Sequence, residues 1–142
     1  MITIRELTTE ADWTKAIEVL SELRSEAKEA NILTERESLM QRGYKMYGLF
    51  EAETLVCIAG IILQPHITRK NDFWVHDLVT LEAVRSKGYG EQIMRFLEQE
   101  ARKLGCSRLS VHTRTNRDRA QNFYQNHLGY DRYAIVFQQD LK

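Results

Sequence analysis

Two apolar runs, Leu55–Leu63 and Phe73–Leu81, constrain this chain more than anything else in it. A run that is apolar at consecutive positions, not at every second one, forms a strand buried on both faces. A sheet with such strands at its centre needs covering layers on both sides. Leu55–Leu63, the longest stretch without a charged or polar side chain, has nine residues, about half of what a membrane helix requires. Tyr44–Phe50 reads as a strand ahead of it. The short connection Glu51-Ala52-Glu53 makes the pair a hairpin. Gln64–Asp72 is polar, contains the only proline, Pro65, and reads as a loop.

The flanking segments supply the layers. Ile2 and Ile4 alternate with polar residues and predict a short first strand. Thr8, Thr9 and Asp12 offer N-cap side chains, and Trp13, Ile17, Leu20 and Leu23 follow at helical spacing, which predicts a helix over 10–24. A second helix is expected over Thr34–Arg42, with Gly43 as its stop. Gly88–Leu104 carries Ile93, Met94, Leu97, Ala101 and Leu104 on one face, an amphipathic helix closed by Gly105. A strand at Arg108–Thr113, a helix at Arg117–His127 stopped near Gly129, and a last strand at Tyr130–Gln138 complete the chain. The predicted order is β-α-α-β-β-β-α-β-α-β. The fold class is α/β (α+β), a mixed sheet flanked by helices, antiparallel at first and parallel across the later strand-helix-strand unit. No repeat or linker interrupts residues 1–142, so one domain is expected.

Composition excludes some functions. Lys+Arg and Asp+Glu both number 20, so nothing suggests the basic excess of a nucleic-acid surface. Cys57 and Cys106 lack metal-ligand or redox spacing, so no metal is expected. Free thiols fit a reducing compartment. The N-terminus lacks a basic start followed by an apolar core. A cytoplasmic protein without membrane partners is the expectation.

The chemistry concentrates in Arg85-Ser86-Lys87-Gly88-Tyr89-Gly90, between a strand and a helix. A helix start presents backbone N–H groups and a partial positive charge, which favour an anion. Gly88 and Gly90 remove side chains that would keep a phosphate from the backbone, and Arg85 and Lys87 add charge. A diphosphate suits this combination. No Gly-Lys-Ser/Thr follows, and Ile93 stands where a dinucleotide fingerprint needs a small residue. Alone, the pattern is also compatible with a basic turn.

Further residues narrow the reading. The segment resembles the R/Q-x-x-G-x-G/A signature of the GNAT-type N-acetyltransferases. Asp77-Leu78-Val79-Thr80-Leu81 looks like that family's fourth strand. Asn116, Ala120, Phe123-Tyr124 and Gly129-Tyr130 resemble its N-x-x-A-x-x-x-Y-x-x-x-G-F/Y block. The resemblance implies acetyl-CoA as acyl donor and an amine as acceptor. It implies that the backbone of Leu78, Val79 and Thr80 pairs with the pantetheine arm, and that Arg85, Ser86, Lys87, Gly88, Tyr89 and Gly90 hold the pyrophosphate. The Leu78 amide matches the position that polarises the thioester carbonyl, where a fixed donor stabilises developing negative charge. Tyr124 matches the tyrosine that approaches the CoA sulfur and can protonate the departing thiolate.

Two departures from the match matter. Asn116 sits four residues before Ala120, not three, so the cofactor contact falls to Asn116, to Arg117 or to neither. The final segment has room for one strand where many members have two. That leaves an acceptor site that is more open, or one completed by a second subunit in a homodimer.

A protonated amine is no nucleophile, so a base is needed, directly or through water. Some members place a glutamate where Trp74 stands here. His76, Asp77 and His112 are the nearby candidates, and a histidine titrates in the useful range. Strict alternation would put Trp74, His76 and Leu78 on one face and Asp77 on the other. The resemblance further implies that the region between the first two helices, Arg24–Thr34, lines the acceptor cleft; Glu26 and Glu29, with Glu35 just beyond, could draw a cationic amine, but Arg24 and Lys28 lie there too. The competing reading is a CoA-binding sensor or interaction module without catalysis.

Overall fold

The computed structural model describes residues 1–27 and 29–141, with backbone alone at residues 29 and 30. Lys28 and the side chain of Glu29, named above for the acceptor cleft, lie outside what is described. Contacts divide the chain into two compact units, Met1–His112 and Thr113–Lys142.

The first unit holds a five-stranded sheet in the order β1-β2-β3-β4-β5. Its strands are β1 (Ile2–Leu7), β2 (Tyr44–Glu51), β3 (Thr54–Pro65), β4 (Asn71–Thr80) and β5 (Leu109–Val111). The first three pairings are antiparallel and β4–β5 is parallel. The helices are α1 (Glu10–Leu20), α2 (Glu29–Gln41) and α3 (Tyr89–Lys103). The doubly apolar β3 lies at the middle of the sheet, where residues 55–61 are buried without a break.

Each face has its own cover. Trp13, Ala16, Val19 and Leu20 of α1 pack with Leu7, Met46, Ile58 and Val79 of the sheet. Tyr47, next to Met46 and so on the opposite face, meets Phe96 of α3 with ring centroids 6.0 Å apart. Ile93, Met94, Leu97 and Ala101 bury the stripe of α3 that the sequence pattern predicts.

Local chemistry sets the start of α1. The Thr9 side chain accepts from the Asp12 N–H at 3.1 Å, as an N-cap should. Trp13 Nε1 donates to the Leu7 carbonyl at 2.9 Å inside the core. Arg5 closes the corner with two bonds to Asp12, each 2.9 Å. Helix α2 begins earlier than Thr34, at Glu29.

The second unit contains α4 (Asp118–Asn122), which runs directly into a π-helical turn, Phe123–His127. Gly129 follows at φ +78, a left-handed angle at the predicted stop. The last strand expected over Tyr130–Gln138 is not a strand: residues 130–141 form no regular secondary structure. Alternation makes a strand only where a neighbour completes its ladder and one face is buried. Here the apolar members Ile135 and Phe137 are 77% and 89% exposed, and Val136 is 58% exposed. Among the described residues, no helix is long and apolar enough to cross a membrane.

The corner pair yields a stability prediction. Hydrogen bonding to Arg5 holds the Asp12 carboxyl at about 2, below its ordinary 3.8. A depressed carboxylate stabilises the fold above its unfolded value and loses that contribution as pH falls through its folded one. Arg5 is half exposed, so solvent screens the pair and Asp12→Asn should cost about 1 kcal/mol at pH 7. The difference between the two proteins in urea unfolding should shrink steadily from pH 4 to pH 2.

Candidate active site

The site is built on an interruption in β4. Against β3, the register runs Trp74↔Ile62, Val75↔Ile61, then Asp77↔Gly60, Leu78↔Ala59 and Val79↔Ile58. His76 is therefore an extra residue, a β-bulge. Ile58, Gly60 and Ile62 alternate regularly on one face, so their partners Val79, Asp77 and Trp74 share that face, the one covered by α1. This corrects the alternation expected from sequence. The bulge shifts the phase by one, bringing Asp77 to the side of Trp74 and sending the Leu78 side chain to the other.

Just before the bulge, β5 leaves. Its ladder with β4 pairs Phe73↔Leu109, Trp74↔Ser110 and Val75↔Val111 and goes no further, while β4 continues to Thr80. The Leu81 N–H donates to Val56 of β3 at 2.9 Å. Alternation back from Leu81 turns the amides of Val79 and Asp77 toward β3. The amides of Leu78 and Thr80 thus point to the edge that β5 has vacated. An extended, amide-bearing ligand can add there as a strand does. On that edge Arg85 Nε donates to the Thr80 carbonyl, at 3.2 Å.

The glycine-bearing loop continues from that edge. A short 3-10 turn, Glu82–Val84, leads to Arg85, and α3 starts with Gly88 as its N-cap. Gly88 has φ +83, and a Cβ built there would meet nothing within 4 Å. The glycine thus serves the turn and leaves open space in front of the helix. The first bond of α3 runs from the Gln92 N–H to the Gly88 carbonyl, so the amides of Tyr89 and Gly90 lie outside the helix ladder. Arg85, Ser86 and Lys87 are exposed, while the Tyr89 ring is buried and offers the loop only its backbone. Ser86 also has positive φ, at 72, a conformation that costs a non-glycine residue.

Two of the candidate bases meet. The His76 and His112 rings have centroids 5.7 Å apart, and both lie beside the half-buried Trp74, at 6.5 and 6.0 Å. Burial, and next the charge of His112, lower the pKa of His76 below 6.5, so it is neutral at pH 7. Asp77, the third candidate, is engaged at both oxygens. Arg24 Nε donates to Oδ1 at 2.8 Å, and the Tyr44 hydroxyl donates to Oδ2 at 2.9 Å.

Tyr44 was not singled out from sequence, nor was Gly60 opposite Asp77. A Cβ on Gly60 would lie 1.8 Å from the Tyr44 hydroxyl. The signal for it was a lone glycine in an apolar strand, which marks a bulge or a close approach. Glu22 was missed as well: its Oε1 accepts from the Glu82 N–H at 2.9 Å, tying the end of α1 to the 3-10 turn.

Asn116 and Tyr124 belong to the second unit. Asn116 is exposed in a turn ahead of α4, and Arg117 is the residue before that helix. Gln121 Nε2 braces the turn by donating to the carbonyls of Arg114 and Thr115, at 3.1 and 2.9 Å. Tyr124 is half-buried in the π-helical turn, its ring centroid 5.4 Å from that of Phe123. π-turns recur at functional sites.

Residues 8–130 match the acetyltransferase (GNAT) family, and the chain belongs to it. It is an acyltransferase, and acetyl-CoA is its acyl donor. A Bacillus subtilis (strain 168) protein described as an uncharacterized N-acetyltransferase, YhdJ, is 29% identical over 138 residues, 96% of this chain and 97% of that one. An acetyltransferase from Trypanosoma brucei superposes with a TM-score of 0.83 at 21% identity, over 99% of this chain and all of the other. The aminoglycoside N-acetyltransferase AAC(6')-Iy, in complex with CoA, does so with a TM-score of 0.85 at 12% identity, over 99% and 95%. The mixed sheet with flanking helices is the fold shared with these structures.

The loop can be tested directly. Gly88→Val forces a side chain into positive φ and into the open space before α3, at a cost of about 1–2 kcal/mol in stability. CoA affinity should fall by more than about tenfold, or 1.4 kcal/mol, with the fold retained. Calorimetric titration beside thermal unfolding checks this; an unchanged dissociation constant would remove the loop from the binding site.

Proposed function

We propose that this enzyme transfers the acetyl group of acetyl-CoA directly to a primary amine of a small molecule or a protein. The vacated edge of β4 carries the reading. It presents the Leu78 and Thr80 amides in line with a cationic, glycine-capped helix start. In this reading Leu78, Val79 and Thr80 pair with the pantetheine, and the backbone of residues 85–90 with the side chains of Arg85 and Lys87 holds the pyrophosphate. The Leu78 N–H stabilises the thioester oxygen as the amine attacks. The amine nitrogen forms a bond to the acetyl carbon, the C–S bond breaks, and the electron pair leaves on sulfur. Tyr124 protonates that thiolate, and Asn116 or Arg117 supports the cofactor from the same unit.

The His76–His112 pair takes the amine's proton, directly or through water. A neutral imidazole at pH 7 can do so, and the lowered pKa of His76 keeps it neutral. The acceptor class draws on the aminoglycoside N-acetyltransferases that share the fold, one of them in complex with sisomicin. The reading also takes the enzyme as one cytoplasmic domain over residues 1–142. It acts as a homodimer in which a second copy covers the exposed Ile135, Val136 and Phe137.

Thiol release from acetyl-CoA, measured with a panel of aminoglycosides, polyamines and lysine peptides, tests the reaction. Turnover with any of them supports it. Tight CoA binding without turnover on a broad panel would favour a sensor. Tyr124→Phe should lower kcat by about a hundredfold and leave CoA affinity within about threefold; equal losses in both would argue against an acid. Protonation of His76 below its lowered pKa should remove the base, so kcat should fall on an acid limb below pH 6.5. That limb should vanish in His76→Asn if His76 is the base, and in His112→Asn if His112 is. A limb untouched by either variant would place the base elsewhere.

A further inference from the structure

We infer that Asp77 is a positioning residue: held by Tyr44 and Arg24, it fixes the β4 bulge and so aims the Leu78 amide at the thioester. This rests on the proposed reaction and deepens it. Asp77 directly follows the extra residue His76 and directly precedes Leu78. A bulge adds a degree of freedom to a strand, and it stays in one shape only where its surroundings hold it. Here they do so from two directions.

Tyr44, on β2, reaches across β3 to Asp77 Oδ2, and it can do so because Gly60 has no side chain in its path. Arg24, in the segment after α1, reaches Oδ1. The Asp77 carboxylate is 12% exposed and the Arg24 side chain 46% exposed, so the pair is charge-assisted and sheltered on the acid's side. Burial, reinforced by the Asp77 charge, keeps the Tyr44 hydroxyl protonated far above its ordinary range, so it remains a donor at any working pH. Both acceptor oxygens of Asp77 are thus committed to holding the strand.

The consequence falls on the neighbouring peptide. With Asp77 pinned on the α1 face, its own amide faces β3 and the next amide, that of Leu78, faces the vacated edge. Rotation at the bulge would turn that donor out of line, and the loss would appear at the acetyl carbonyl rather than at the pyrophosphate.

The test compares wild type with Tyr44→Phe, Asp77→Asn and the double variant, each checked for folding by circular dichroism and thermal unfolding. Calorimetry measures affinity for acetyl-CoA and for free CoA; thiol release measures kcat. The lock predicts that the preference for acetyl-CoA over CoA shrinks in both single variants while free CoA binds within about threefold of wild type. It predicts that kcat falls at least about tenfold in each, and that the double variant is no worse than Asp77→Asn alone, as expected for two members of one network. Tyr44→Phe at the wild-type rate, or additive losses in the double variant, would overturn it. A near-complete loss confined to Asp77→Asn would instead make Asp77 the base. If wild type binds no CoA, it is the donor reading that fails; if wild type binds and the variants match it, only the lock fails.

Discussion

One extra residue in β4 organises this site. His76 has no partner on β3, and that single insertion moves Asp77 to the α1 face and turns the Leu78 amide toward open space. Without it, Asp77 would face α3, away from Tyr44 and Arg24. The departure of β5 at Val75 completes the arrangement, because a turned-out amide is useful only where no neighbouring strand takes it. Bulge and splay together leave the C-terminal half of β4 with an open backbone edge.

The electrostatics divide along the same line. On the donor side, full charges at Arg85 and Lys87 are exposed, as suits a ligand whose phosphates stay partly in water. On the α1 face, Asp77 is sheltered and paired, while the exposed His76 stands beside His112, with desolvation lowering its pKa. The proposed anion binding and proton removal need opposite conditions, and β4 offers a backbone edge for the one and side chains for the other.

Much of this was legible in the residues. The apolar runs placed β3 and β4 at the centre, and the helical stripe of α3 and its glycine start lie where periodicity put them. The glycine-capped start of α3 could be read because its signal is local: charges, glycines and a helix start within six residues. The bulge could not, since it depends on how β4 registers against β3, and strict alternation therefore misassigned the faces of Asp77 and Leu78. Tyr44, Glu22 and Gly60 were missed for a related reason. Each acts on a partner between 16 and 60 positions away in sequence, and only Gly60 left a trace, as a lone glycine in an apolar strand. The last segment shows the reverse failure: Tyr130–Gln138 alternates like a strand, yet forms none.

The sequence by itself determined the layers, the helix starts and the glycine-bearing turn ahead of α3, because these follow from spacing and from residue types that are close neighbours. The tertiary structure alone decided which way the Leu78 amide points, that Asp77 is occupied, and that His76 and His112 meet. Those outcomes depend on strand register and on where two strands part. Both are set by packing the whole sheet against its helices.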